Sequence, residues 1–276
     1  MRNLISCMKI IVLVIVFSGS RAVSAQENKI VDTLSIGVGV SLDNLDSSVR
    51  LDSKSTGTGT VIDYEKDLGF AKNIYIPNVE IQWMPIDRHR FYVSFTQYNR
   101  SNKATVDKII DFGDLEVPIN ATVKGRLDID EYKFGYMFYP LFKERWALGV
   151  GAGVRLMYLD TSLKIISTPP AATPTVTSDS ADATGPLPFI NLEYRYALSP
   201  KWRLTTTAGY FTAKISRFKG EQILFGASIE HLVIKRFSWG IMADYSIVDV
   251  RSKKEDFRGK MNLDIARLGV FAKVRW

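Results

Sequence analysis

Two histidines and one cysteine are the whole stock of side chains in this 276-residue chain that titrate or attack readily near neutral pH. A histidine can serve as general base to a serine or a water, provided the two sit within hydrogen-bond reach. His89 stands beside Asp87 and Arg88 in a short connection, and His231 shares the apolar parity of its segment. Neither has a nucleophile placed beside it by the sequence pattern, so both read as polar residues at a wet edge. Asp128 and Asp130 are two residues apart, the spacing of one strand face, and read as a solvated face and not as an acid–base pair. The acids at 63–67 and 107–114 lack the ligand order of a calcium loop. Gly149, Gly151 and Gly153 alternate along one strand, where they leave room for larger side chains opposite, unlike a phosphate loop. The expectation is no catalytic site, no metal and no cofactor.

Charges remain, in two sets. Glu80, Glu131, Lys133, Arg155, Glu193, Arg195, Arg203, Glu230, Asp244 and Arg267 fall opposite the apolar parity of their segments. If the apolar face meets lipid, these residues meet inside, where a charge is tolerable only when paired or wet. Opposite signs on neighbouring strands would cross-link the wall. Arg155 faces Glu131 and Lys133, and Arg203 lies between the strands of Glu193 and Glu230. The second set is a basic rim: Lys214, Arg217 and Lys219 in one connection, and Arg251, Lys253, Lys254, Arg258 and Lys260 in the next. Clustered cations there could bridge phosphates of lipopolysaccharide.

Both sets presuppose alternating strands. The pattern predicts ten, near 33–42, 74–84, 90–99, 127–138, 145–159, 187–197, 202–214, 221–233, 237–250 and 261–276, with eight or twelve as other counts. Long connections are expected at 43–73, 100–126 and 160–186, the last because Pro169, Pro170 and Pro174 suggest a mobile loop. Val49 and Leu51, then Val61 and Ile62, lack a sustained outward apolar face and read as extensions standing above a membrane. The five tryptophans, Trp83, Trp146, Trp202, Trp239 and Trp276, each lie on the apolar parity beside a short connection or at the C-terminal residue. That is the belt of indoles expected at one membrane–water interface.

Residues 1–25 read as a secretory signal peptide, with a basic start, an apolar run at 10–17 and Val23-Ser24-Ala25 before Gln26. Residues 26–276 read as one barrel domain. Cleavage removes Arg2, Lys9, Arg21 and no acid, so the formal charge falls from +7 to +4. Cys7 goes too, which leaves no disulfide or thiolate chemistry. Mild basicity of this size does not point to nucleic acid.

Signal peptide, alternating strands, aromatic belt and terminal Trp276 resemble the small Gram-negative outer-membrane barrels, the broad OmpA/OmpW-like group. The resemblance covers residues 33–276. It implies an all-β, closed, antiparallel up-and-down transmembrane barrel in the outer membrane, with the last strand read by the barrel assembly machinery. It is nearly silent on function. The functional expectation is a non-catalytic barrel serving envelope integrity or surface interaction through its external loops, with a narrow channel for a small or hydrophobic solute as the alternative. Interleaved lumen charges favour a filled interior, since an ion pore would show rings of one sign.

Overall fold

The structure, a computed structural model, describes residues 30–170, 176–215, 218–253 and 258–276. The expected signal peptide and the rim residues Arg217 and Lys254 lie outside them. The strands are β1 (Leu34–Leu51), β2 (Val61–Asp63), β3 (Asn73–Ile86), β4 (His89–Thr105), β5 (Ile110–Phe112), β6 (Leu115–Val117) and β7 (Thr122–Phe142). They continue as β8 (Trp146–Ser167), β9 (Ser178–Ala197), β10 (Trp202–Ile215), β11 (Phe218–Ile234), β12 (Phe237–Lys253) and β13 (Arg258–Arg275). Among the described residues ten long antiparallel strands run in sequence order around a closed barrel, with β1 paired to β13 from Ser35↔Arg275 to Leu51↔Gly259. Closure leaves no sheet edge along the membrane, where an unpaired backbone group would find no water.

The outward parity carries Val38, Val40, Ile81, Phe91, Val93, Phe134, Val150, Leu192, Phe225, Ile241, Leu268 and Val270, all exposed. Aromatic residues bound this belt at both levels. At one end Trp202, His231 and Trp239 pack together, with Trp202 and Trp239 centroids 6.2 Å apart. Trp83 pairs across to Leu34, whose backbone bonds Trp276 both ways, and Trp146 pairs with Tyr196. The five tryptophans thus share one end, on the outward parity. At the other end Phe95, Tyr132 and Tyr158 pack in sequence at 4.8 and 5.8 Å.

The strands are longer than a membrane needs, about 9–11 residues. The connections expected at 43–73, 100–126 and 160–186 are largely strand: β1 runs on to Leu51, β7 starts at Thr122, β8 has 22 residues and β9 has 20. The reason lies on β8. Parity holds along its whole length, but the inward residues change from Gly149, Gly151, Gly153 and Arg155 to Met157, Leu159, Thr161, Leu163 and Ile165. Beyond the tyrosines water lies outside, so Asp160 and Lys164 point out and the apolar residues turn in. Polarity inverts with parity unchanged.

The resulting core fills the outer end of the barrel. Leu45, Val49, Ile62, Tyr64, Leu68, Ile110, Phe112, Leu115, Val123 and Leu127 are buried in it. β2 pairs with Ser48–Arg50 of β1, so Val61 and Ile62 join the wall's upper edge, and the β5–β6 hairpin folds into the cap.

Candidate functional site

The interior has three storeys. At the tryptophan end the chain entering β1 turns inside: Ile30 and Val31 are buried against Met84, Met137, Tyr139 and Ala147. Asp32, also buried, takes Arg203 at 2.9 Å and Arg275 at 2.8 Å. Arg203 also reaches Glu230 at 3.0 Å, Lys273 reaches Glu230 at 3.4 Å, and Ser238 donates to Glu230. Beside this lies a second knot, in which Glu193 accepts from Arg90 and Arg195, each at 2.6 Å, and from Tyr139 at 2.7 Å. The inward glycines of β8 make room for it. A Cβ on Gly149 would meet Met137 and Tyr139, and one on Gly151 would meet the Asn191 amide at 2.5 Å.

The middle storey is a chamber of about 290 Å³, lined by Asn78, Tyr92, Ser94, Lys133, Phe189, Asn191 and Thr207 among others. On its walls Arg155 pairs with Glu131 at 3.0 Å, and Arg267 bridges Asp43 at 3.0 Å and Asp244 at 3.5 Å. Tyr98 shares the last group, donating to Asp43 at 3.2 Å. The upper storey is the apolar cap, pinned by one buried pair, Arg100 to Glu65 at 2.5 Å. Tyr64 bonds Thr161 across it, and burial pushes the Tyr64 phenol up to about 12.

Eight of the ten expected lumen charges are ion-paired here. Two differ. Glu80 accepts from the Gln82 amide, and Lys133 sits opposite Arg155 in register without an ion pair among the described residues. Arg203 turns to Asp32 and Glu230, not to Glu193, because Arg90 and Arg195 already hold that carboxylate. Asp32, Asp43, Arg90, Arg100 and Glu65 were not foreseen. Asp43 and Arg90 continue the inward parity of β1 and β4, a signal the sequence carried; Asp32 precedes its strand and had none.

Both histidines lie at the tryptophan end. His89 Nδ1 is 2.6 Å from the Tyr136 hydroxyl, and His231 is packed between Trp202 and Trp239. Among the described residues no group of three His, Cys, Asp or Glu side chains could hold a metal ion. Of the rim cations, Lys214 pairs in register with Lys219, and Lys253 with Arg258.

No family model matches the chain, and no curated protein matches it. Solved structures do. The outer membrane protease OmpT of Escherichia coli superposes with a TM-score of 0.56 at 8% identity, over 93% of this chain and 99% of that one. Ail, the attachment invasion locus protein of Yersinia pestis, gives 0.35 at 10% identity, over 88% and 99% of the two chains. Neisserial surface protein A gives 0.33 at 11%, over 88% and 97%. The chain has the fold of the Gram-negative outer-membrane β-barrels. At such identities the likeness concerns fold alone, and the barrel's role rests on its own side chains.

Proposed function

We propose that this protein resides in the outer membrane as a sealed, non-catalytic barrel that serves envelope integrity or surface interaction through its outer end. One observation carries the reading: the interior is stopped twice, by the apolar cap above and by Ile30, Val31 and the paired charges of Asp32, Arg203 and Glu193 below. Charges of both signs neutralise one another across the wall, whereas a selective pore would line its path with one sign. Proteoliposomes carrying the barrel should not swell in an isosmotic small sugar. Swelling at the rate of an open channel would refute the reading.

A second reading, a narrow path for a small or hydrophobic solute, is favoured by a single feature. The β9–β10 ladder ends at Ile190↔Tyr210, although β9 continues outward to Ser178 and β10 to Ile215. Phe189 and Tyr210 line both this seam and the chamber. A Pro188→Cys/Thr212→Cys pair would span the seam. If the second reading holds, oxidation stops uptake of an apolar fluorescent probe and reductant restores it. Absence of uptake in either state favours the sealed barrel.

A further inference from the structure

Strand register assembles a strip of cations on the outer wall that no single segment of sequence displays. Lys214 of β10 stands opposite Lys219 of β11, Lys219 opposite Arg251 of β12, Arg251 opposite Lys260 of β13, and Lys260 opposite Arg50 of β1. All five hold the outward parity of their strands. Opposite residues in a ladder have Cβ atoms roughly 4.5–5.5 Å apart, and like charges so placed repel. Lys253 and Arg258 repeat the arrangement one step further along β12 and β13. The acids nearby offset only part of it. Asp249 pairs with Arg251 at 3.4 Å and Lys260 at 3.1 Å, and Asp52 pairs with Arg50 at 2.8 Å. Glu221 lies in register with Asp249, one outward position below Lys219. Lys214 and Lys219 have no ion pair among the described residues.

Position fixes the chemistry of the counter-anion. Tyr210, Ile223 and Ile247 are the last exposed lipid-facing apolar residues on β10, β11 and β12. Lys214, Lys219 and Arg251 each stand four residues beyond them, roughly 13 Å along the strand and less along the membrane normal once strand tilt is allowed for. A molecule bound there can lay acyl chains on the belt and anionic groups on the strip at once. Acids also stand between this strip and the lipid belt, Glu221 and Asp249 on β11 and β12 and the Asp46–Asp264 pair on β1 and β13, but β10 carries only Thr212 below Lys214. On the other side of the barrel Lys103, Lys124 and Lys164 stand in register above an unbroken acidic row, Asp128, Asp160 and Asp182, on β7, β8 and β9.

We infer that the strip formed by Lys214, Lys219, Arg251, Lys260 and Arg50 docks a phosphorylated glycolipid of the outer leaflet, lipopolysaccharide in a Gram-negative envelope, through two or more of its phosphate groups. The site goes beyond the sealed-barrel reading and stands whether or not the lumen conducts, because it lies wholly on the outer wall. Phosphate oxygens bridging neighbouring cations relieve the repulsion along the register row and make charge-assisted hydrogen bonds, strongest to Arg251.

The test uses full-length protein extracted from outer membranes in mild detergent, with bound glycolipid counted by native mass spectrometry. The Lys214→Gln/Lys219→Gln/Arg251→Gln variant should retain at least about tenfold less of it than the unmodified barrel. The Lys103→Gln/Lys124→Gln/Lys164→Gln variant, with the same charge change, should retain it fully. Added glycolipid should rebind to the stripped native barrel, the same lipid without its phosphates should not, and excess inorganic phosphate should not displace it. Heat-modifiable migration confirms that each variant is folded; if the triple variant does not assemble, Lys219→Gln alone is read the same way. Equal retention in both variants, binding of the dephosphorylated lipid, or displacement by inorganic phosphate alone would each overturn the inference.

Discussion

Two seams of this barrel lose their strand pairing part-way up, and they are mended differently. The β3–β4 ladder ends at Asn78↔Thr96; Pro77, next on β3, still pairs with Val40 of β1 but lies outside the β4 ladder. The β9–β10 ladder ends at Ile190↔Tyr210, with Pro188 and Pro186 on the same parity just beyond. A proline has no N–H to offer a neighbour, so each ladder stops where its donors do. At the first seam the cap segment replaces the missing partner. Arg100 of β4 reaches Glu65, the Ala71 carbonyl at 2.9 Å and the Ser47 hydroxyl at 2.9 Å, and Asn102 donates to the carbonyls of Leu68 and Gly69. At the second seam no such segment intervenes among the described residues, and Leu187, Phe189 and Phe211 back the gap with their side chains. A lost ladder is closed by hydrogen bonds in one place and by apolar contact in the other, so the second seam should open first.

The largest effect should come from making the mended seam resemble the other. Arg100→Ala leaves the buried Glu65 carboxylate without its cation, at a cost of about 3–5 kcal/mol. Denaturant titration should show that loss, and limited proteolysis should cut within residues 64–72. An intact cap at unchanged midpoint would mean the segment is held by apolar packing only. Glu193→Gln removes a comparable charge below both seams, three residues from the end of the second ladder at Ile190, and leaves Arg90 and Arg195 facing one neutral amide. It should cost about 3–5 kcal/mol as well, while hydrogen exchange at the two seams keeps its original ranking. A reversed ranking would show that the seams respond to the lower network and are not local.

Tyr64→Phe removes one hydroxyl contact to Thr161 and should cost about 1 kcal/mol. The same phenol gives a pH signature. Its folded value, about 12, exceeds the ordinary value of 10.0, so its contribution is complete below pH 10 and is lost as pH rises through 12. The Tyr64→Phe barrel should lack that alkaline loss; an identical alkaline profile in both would place the titration elsewhere. The smallest change is Pro186→Thr with Pro188→Thr. Restoring two donors to β9 should extend the ladder, slow amide exchange across residues 211–215 and add about 0.5–1 kcal/mol. Unaltered exchange would indicate that the prolines do not set where the ladder ends.

The membrane half was legible because one rule, alternation against lipid, governs every residue there. Tryptophan parity, the outward rows and most lumen charges follow from it. The outer half obeys the same parity with the solvent exchanged. Asp160, Lys164 and the prolines near 170 suggested a loop, while Thr161, Leu163 and Ile165 were already tracing the inner face of β8. The partners of Arg203 were hidden for another reason. Asp32 precedes any strand, and its place inside the barrel follows from where the chain turns in, which periodicity does not encode. Most of the cation strip was legible as a basic rim; register hid only the place of Arg50 in it, since Arg50 and Lys260 are neighbours only once β1 closes on β13.

Single-channel recording in a planar bilayer tests the sealed interior most directly. The unmodified barrel should show a flat baseline under moderate voltage of either sign, because the cap, the paired charges and the Ile30–Val31 plug lie in series along the axis. Steady, large, reproducible conductance from the unmodified protein would contradict the account and make the barrel a pore.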